Sequence, residues 1–219
     1  MKRWHIIVGA AAILGAAGYF YVNGGLGFRG RPEALERVSS GVSGALSYRP
    51  VKMSWQTAAR PDAGFSVEMP GEPKDLSVPA VNEAGSTEPV KMIFANPDAE
   101  TTFAVTWEDN PPVARVNSRL PDKTLDAARD GMLSRTQTFV DTDAHATASG
   151  YPARDIAAHN AGGGVLNVRM IYTGERLYTL MALYPSSGAR REQDVIRFYN
   201  SFALSRVPGE TLPTASPRT

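Results

Sequence analysis

The hydrophobic and polar positions of the first half of the folded region alternate in short runs, which is the pattern of strands buried on one face. Three such runs cover residues 64–69, 90–95 and 102–107. In the first of them Phe65, Val67 and Met69 share one face, and Pro70 follows at once. The turn-forming Asn96-Pro97-Asp98 separates the other two runs and predicts a hairpin.

The period changes to that of a helix over residues 122–139. Thr124 or Asp122 is expected to cap this helix, because both side chains can accept a backbone hydrogen bond. Its apolar face consists of Leu125, Ala128, Met132 and Leu133. A second helix is predicted over 187–201, and its inner face consists of Val195, Phe198, Tyr199 and Phe202.

Strands return between the two helices, with turns near Gly150, at 161–164 and at Gly174-Glu175. The four predicted strands cover residues 140–147, 153–159, 165–173 and 176–184. Short turns between consecutive strands imply antiparallel pairing. The order of the elements predicts an α+β fold, an antiparallel sheet with helices packed on it, rather than a doubly wound sheet.

The N-terminal segment differs from the rest because residues 4–22 contain no charged side chain. At a rise of about 1.5 Å per residue the segment spans roughly 28 Å, which is enough to cross a bilayer. Lys2 and Arg3 favour a cytoplasmic N-terminus, so the folded domain is expected outside the cytoplasm, in the periplasm or the extracellular space. A cleaved signal peptide, giving a soluble secreted protein, is an alternative. A buried helix of a soluble protein is another.

The resulting organisation has four parts. Residues 1–22 are a predicted signal anchor, that is, one transmembrane helix. Residues 23–47 are a flexible, glycine-rich linker with a short helix, and residues 48–205 are the α+β domain. The polar tail 206–219 is expected to be disordered.

Composition excludes several classes of function. The formal net charge is +1, so nucleic acid is not an expected partner. The chain has no cysteine, which excludes disulfides, thiolate metal sites and cysteine nucleophiles. No G-x-S-x-G or H-E-x-x-H motif is present, and the glycines at 162–164 are interpreted as a hairpin turn rather than a phosphate loop. We therefore expect neither a catalytic residue nor a cofactor.

One run of residues resembles a metal site. Strand alternation would place Asp141, Asp143 and His145 on one face, and His159 could join them from a neighbouring strand. The alternative interpretation is a solvated polar strand edge whose charges discourage aggregation.

Four segments together resemble a known superfamily. They are Gly64–Lys74 (GFSVEMPGEPK), Gly150–Asp155 (GYPARD), Gly174–Leu180 (GERLYTL) and Phe198–Leu204 (FYNSFAL). In this order they are similar to the PsbP-like α/β/α sandwich superfamily, especially its uncharacterised bacterial members. The resemblance implies an accessory or binding protein rather than an enzyme, and it supplies no catalytic residue.

Two arginines of these motifs, Arg154 and Arg176, have two possible roles. Each guanidinium group can pair with a carboxylate of the chain, or it can contact a carboxylate of a protein partner.

The sequence therefore predicts a membrane-anchored, non-enzymatic binding or accessory module of the cell envelope that acts through protein contacts. The alternatives are a periplasmic carrier of a small apolar ligand and a metal-dependent enzyme centred on Asp141, Asp143 and His145.

Overall fold

The computed structural model describes residues 54–81, 87–98, 100–109, 111, 120–136, 138–186 and 191–205. The predicted anchor, linker and C-terminal tail lie outside these ranges. Within them, no helix is long and apolar enough to cross a membrane.

The described residues form two antiparallel sheets and two helices. The elements are β1 (Trp55–Arg60), β2 (Phe65–Pro70), β3 (Lys74–Val81), β4 (Thr87–Ala95), β5 (Thr102–Asp109), α1 (Pro121–Thr136), β6 (Phe139–Ala148), β7 (Tyr151–His159), β8 (Gly164–Tyr172), β9 (Arg176–Pro185), α2 (Glu192–Ser201) and β10 (Ala203–Leu204). The larger sheet has the order β3-β4-β5-β9-β8-β7-β6, and the smaller one has the order β1-β2-β10. The predicted α+β class, the β4–β5 hairpin and the antiparallel pairing are confirmed.

Strand β9 shows how the large sheet separates two cores, because both of its faces are buried. Tyr178, Leu180 and Ala182 face the small sheet and α2. Leu177 and Met181 face α1 on the opposite side. The helix contributes the residues that its period predicted: Leu125, Ala128 and Met132 are buried, and Leu133 packs against them.

Phe65 anchors the small sheet to the large one. Its ring lies 5.3 Å from the ring of Trp107, 5.9 Å from Tyr178 and 5.5 Å from Phe202, measured between centroids. Aromatic pairs of this kind contribute about 1 kcal/mol each beyond the area they bury. The turn before Phe65 is also fixed, because the Ala63 carbonyl accepts hydrogen bonds from the Tyr178 hydroxyl and from Arg176.

Some elements differ from the predictions. Strands β1 and β3 were not predicted, because Ala58 is the buried residue of β1 and Pro79 interrupts the pattern of β3. Pro79 is tolerated because β3 lies at an edge of the large sheet. The predicted cap of α1 is wrong, since the helix begins at Pro121 and already includes Asp122 and Thr124. Helix α2 begins at Glu192, later than predicted.

A two-residue turn joins β6 to β7. Ser149 has φ 51° and Gly150 has φ 84°, so both central residues have positive φ, as a type I′ turn requires. The turn fixes the register in which Ala148 lies opposite Tyr151.

Ser149→Asn is expected to stabilise the protein by about 0.5 kcal/mol, because asparagine tolerates positive φ better than serine does. The expected result is a higher midpoint of urea unfolding with an unchanged slope. Gly150→Ala is the matched control and should lower stability by about 1 kcal/mol. A lower midpoint for Ser149→Asn would contradict this account of the turn.

Candidate functional site

The predicted metal ligands lie on or beside β6, which is an edge strand of the large sheet. A bulge between Val140 and Thr142 interrupts the alternation that the sequence analysis assumed. Asp143 accepts hydrogen bonds of 2.6 Å from Arg154 Nε and of 2.6 Å from Arg129 Nη1. Its carboxylate is therefore occupied by two guanidinium groups.

The other predicted ligands have different partners. Asp141 Oδ1 lies 2.8 Å from His159 Nδ1, so these two residues do meet across neighbouring strands, as the sequence suggested. His145 Nδ1 lies 3.5 Å from Asp122 Oδ1 on α1. Among the described residues, no group of three or more His, Cys, Asp or Glu side chains is placed to hold a metal ion.

Arg154 is the centre of an ion cluster that fastens α1 to the sheet. It is buried, and besides Asp143 it donates to Asp126 of α1. The hydrogen bond from Arg154 is the largest cause that lowers the pKa of Asp143, although partial burial opposes it. The same hydrogen bond raises the pKa of Arg154. The charged forms of both groups are thus favoured in the folded state.

Arg176 has a comparable local role at the start of β9. It donates to Asp109 and to the Ala63 carbonyl, and its guanidinium carbon lies 5.9 Å from the ring centroid of Tyr178. Both arginines therefore have carboxylate partners within the chain. Their contact with a protein partner stays a prediction.

A third polar cluster lies on the face of the large sheet that packs against α2, opposite to the Arg154 cluster, and it was not predicted. Asp155 accepts hydrogen bonds of 2.7 and 2.6 Å from Arg169, whose guanidinium carbon lies 4.6 Å from the ring centroid of Tyr199. The Tyr199 hydroxyl is buried and has no hydrogen-bond partner among the described residues. Burial raises its pKa well above the usual value, and the charge of Asp155 adds to this. The only sequence signal for this cluster was that Asp155 and Tyr199 both lie in segments that resemble the family.

The outer side of β6 is one part of the large sheet that these clusters leave accessible. Most of the strand is exposed, and Phe139 and Val140 are 60% and 43% exposed. The Phe139 ring lies 5.7 Å from the His159 ring. Among the described strands, β6 pairs with β7 alone. We call residues 139–148 the β6 edge, and this edge is the candidate functional site.

Asp143→Asn is expected to lower the free energy of unfolding by about 2 kcal/mol at pH 7, because a charged, partly buried hydrogen-bonding partner of Arg154 is lost. The folded-state pKa of Asp143 is lowered, so its stabilisation is complete above the unfolded value of about 3.9 and is lost as pH falls through the folded value. The difference between wild type and variant should therefore shrink towards pH 3 in urea unfolding. The half-exposed Asp141 provides the control, and Asp141→Asn should change stability by less than about 1 kcal/mol. A difference for Asp143→Asn that stays constant from pH 7 to pH 3 would contradict the assignment.

Comparison with known proteins gives similarity in fold. No protein-family model matches the chain, and no curated protein matches it in sequence. The cyanobacterial PsbP of Synechocystis sp. PCC 6803 is 12% identical, with 75% of this chain and 98% of that one covered and a TM-score of 0.43. The protein PA94 from Pseudomonas aeruginosa is 14% identical, with 72% and 99% covered and a TM-score of 0.38.

LpqN, which is involved in cell envelope biogenesis of Mycobacterium tuberculosis, is 12% identical, with 71% of this chain and 92% of that one covered and a TM-score of 0.38. A PsbP protein is thus among the similar structures, and PsbP-like is the fold that the sequence motifs predicted. The likeness concerns the fold alone.

Proposed function

We propose that this chain is a non-enzymatic binding module of the cell envelope that acts by contact with another protein. The observation that carries the proposal is the β6 edge, a strand of ten residues that begins with the exposed Phe139 and Val140. Edge strands expose backbone donors and acceptors that can pair with another chain, and exposed apolar side chains next to them add contact area.

The state of the polar residues supports a binding role over catalysis. Asp143, Arg154 and Arg176 are all held in ion pairs that connect elements of the fold. A group that is fixed in this way stabilises structure and is not poised to transfer protons or bind a metal ion. The metal-dependent alternative therefore gains no support from the geometry.

The carrier alternative would need space between the sheet and a helix. On the side of α1 that region contains the side chains of Leu125, Met132 and Met170, which are at most 1% exposed. On the opposite side it contains Phe103 and Phe198, which are fully buried. Close-packed side chains of this kind favour a solid core over a ligand cavity.

Attachment to the envelope is part of the proposal and rests on the sequence. Residues 4–22 are apolar, and Lys2 and Arg3 precede them, as in a single-pass anchor with the domain outside the cytoplasm. The anchor would hold the β6 edge near other membrane proteins and so raise the effective concentration of a partner.

The full-length protein is expected to stay in the membrane fraction through a carbonate wash and to show its full mass by intact mass spectrometry. A protein that is soluble and shortened near Gly18 or Gly24 would contradict the anchor. The module would then be a diffusible binding protein.

Photo-crosslinking tests the partner contact directly. With Phe139 replaced by p-benzoylphenylalanine in the full chain in its native cells, we expect one reproducible adduct whose partner is identified by mass spectrometry. Ile196 on α2 is a matched control site, because it is also apolar and exposed. Irradiation of a chain carrying the photoreactive residue at position 196 should not give this adduct. Absence of an adduct at 139, or the same adduct from both sites, would refute the proposed contact.

A further inference from the structure

The register of the sheet shows which backbone groups of β6 point outward. In a hairpin with a two-residue turn, the residues flanking the turn form a hydrogen-bonded pair, which here is Ala148 with Tyr151. Bonded and non-bonded pairs then alternate along the ladder. Asp143, His145 and Thr147 therefore direct their N–H and C=O groups away from β7.

Two observations agree with this assignment. Asn160 N donates to Gly164 O at 2.9 Å, so the even-numbered residues of β7 bond to β8 and the odd-numbered ones bond to β6. Pro152, which has no N–H, lies opposite Thr147, where the β6–β7 ladder needs no donor, and the β7–β8 pairing ends at Ala153. The bulge between Val140 and Thr142 limits the regular segment to residues 142–148, which offer up to about six outward hydrogen bonds.

Helix α1 packs on β8 and β7, and two of its side chains reach β6 in an order opposite to the direction of the strand. Asp122 approaches His145, and Arg129 further along the helix binds Asp143. The side chains of Asp122, Asp126 and Asp130 are 69%, 42% and 54% exposed, respectively.

The basic side chains that the structure describes in this region do not cancel this charge at the surface. Arg129 and Arg154 are only 20% and 9% exposed, because their guanidinium groups are turned inward to the carboxylates. Lys123 on α1 is exposed. The five aspartates 122, 126, 130, 141 and 143 against Lys123, Arg129, Arg135 and Arg154 leave a formal charge of −1 for α1 and the neighbouring part of the sheet (four positive minus five negative).

The spacing of the exposed carboxylates matches a strand. Asp122, Asp126 and Asp130 are each four residues apart, a rise of about 6 Å along a helix. Side chains on one face of a strand repeat every two residues, at about 6.8 Å. A strand added outside β6 could therefore direct basic side chains towards Asp122 and towards the exposed parts of Asp126 and Asp130, whose other partners are Arg154 and Arg129.

We propose that the protein partner adds an extended segment to the outer side of residues 142–148, with lysine or arginine at alternate positions. This inference rests on the proposed function and specifies its partner. Backbone hydrogen bonds to Asp143, His145 and Thr147 would give affinity, and the acidic row on α1 would select a basic segment. A second copy of this chain fits less well, because it would bring two acidic edges together.

The test uses the full chain in detergent micelles and two labelled heptapeptides. In the first peptide valine or threonine alternates with lysine. The matched peptide has glutamate at each lysine position. Fluorescence anisotropy should show binding of the lysine peptide only. Amide hydrogen exchange should slow at residues 143, 145 and 147, whose N–H groups face outward. Asp122→Asn should weaken lysine-peptide binding about two- to five-fold, as expected for an exposed charge pair.

Backbone variants separate strand addition from simple charge attraction. His145→Pro removes one outward N–H without removing a bond to β7. The affinity for the lysine peptide should fall at least about ten-fold, because one or two backbone hydrogen bonds to the peptide are lost. Thr147→Pro is a second variant of the same kind, and His145→Ala is the control that keeps the N–H. Thermal unfolding should show that all three variants are folded.

Three results would overturn the inference. The proline variants could bind as tightly as His145→Ala, or the glutamate peptide could bind as well as the lysine peptide. Light scattering could also show a dimer that His145→Pro converts to a monomer, which would assign the edge to a second copy. If these results appear while the Phe139 adduct persists, the binding function stands without strand addition. If the Phe139 adduct is absent, the function itself fails.

Discussion

The docking of the β1–β2 hairpin onto the large sheet is the interaction on which the rest of the structure depends. Phe65 contacts rings from β5, β9 and the residue that follows α2, so one side chain holds three parts of the chain together. The Ala63 carbonyl, bound by Tyr178 and Arg176, fixes the turn that presents Phe65. Strand β10 pairs with β2, so the position of α2 follows from the same contact. One face of the sheet is closed by this arrangement.

The opposite face is closed by a different kind of interaction. Arg154 and Arg129 join α1 to β6 and β7 through Asp126 and Asp143, in addition to the apolar contacts of the helix. These ion pairs account for the arginine of the GYPARD motif, and Arg169 with Tyr199 accounts for its aspartate. The residues of these motifs therefore join the layers of the fold, whereas the β6 edge, the proposed binding surface, lies beside them.

The sequence predicted what depends on local periodicity. The β4–β5 hairpin, the apolar face of α1 and the alternation of Phe65, Val67 and Met69 all follow from spacing alone. It did not predict β3, because an edge strand can contain Pro79, or the bulge that separates Asp141 from the alternation of Asp143. The partners of Arg154 were also out of reach, since Asp126 and Asp143 come from other elements and meet it only after the sheet has formed. The edge position of β6 is a property of the strand order, which periodicity does not encode.

The two margins of the large sheet are not equivalent. The Thr173 N–H donates to the Arg176 carbonyl at 3.0 Å, so these two residues form a hydrogen-bonded pair between β8 and β9. Bonded and non-bonded pairs alternate along each ladder. Following this alternation from β9 through β5 and β4 to β3 shows that the backbone groups of Pro79 are directed away from β4. Because proline has no N–H to donate, that margin is a poor acceptor of a further strand. The large sheet can therefore accept an added strand at its β6 margin but not readily at its β3 margin. Addition of one copy after another through these two margins would stop at β3. Under the proposed strand addition, this difference between the margins favours a closed complex of fixed stoichiometry over an open-ended polymer.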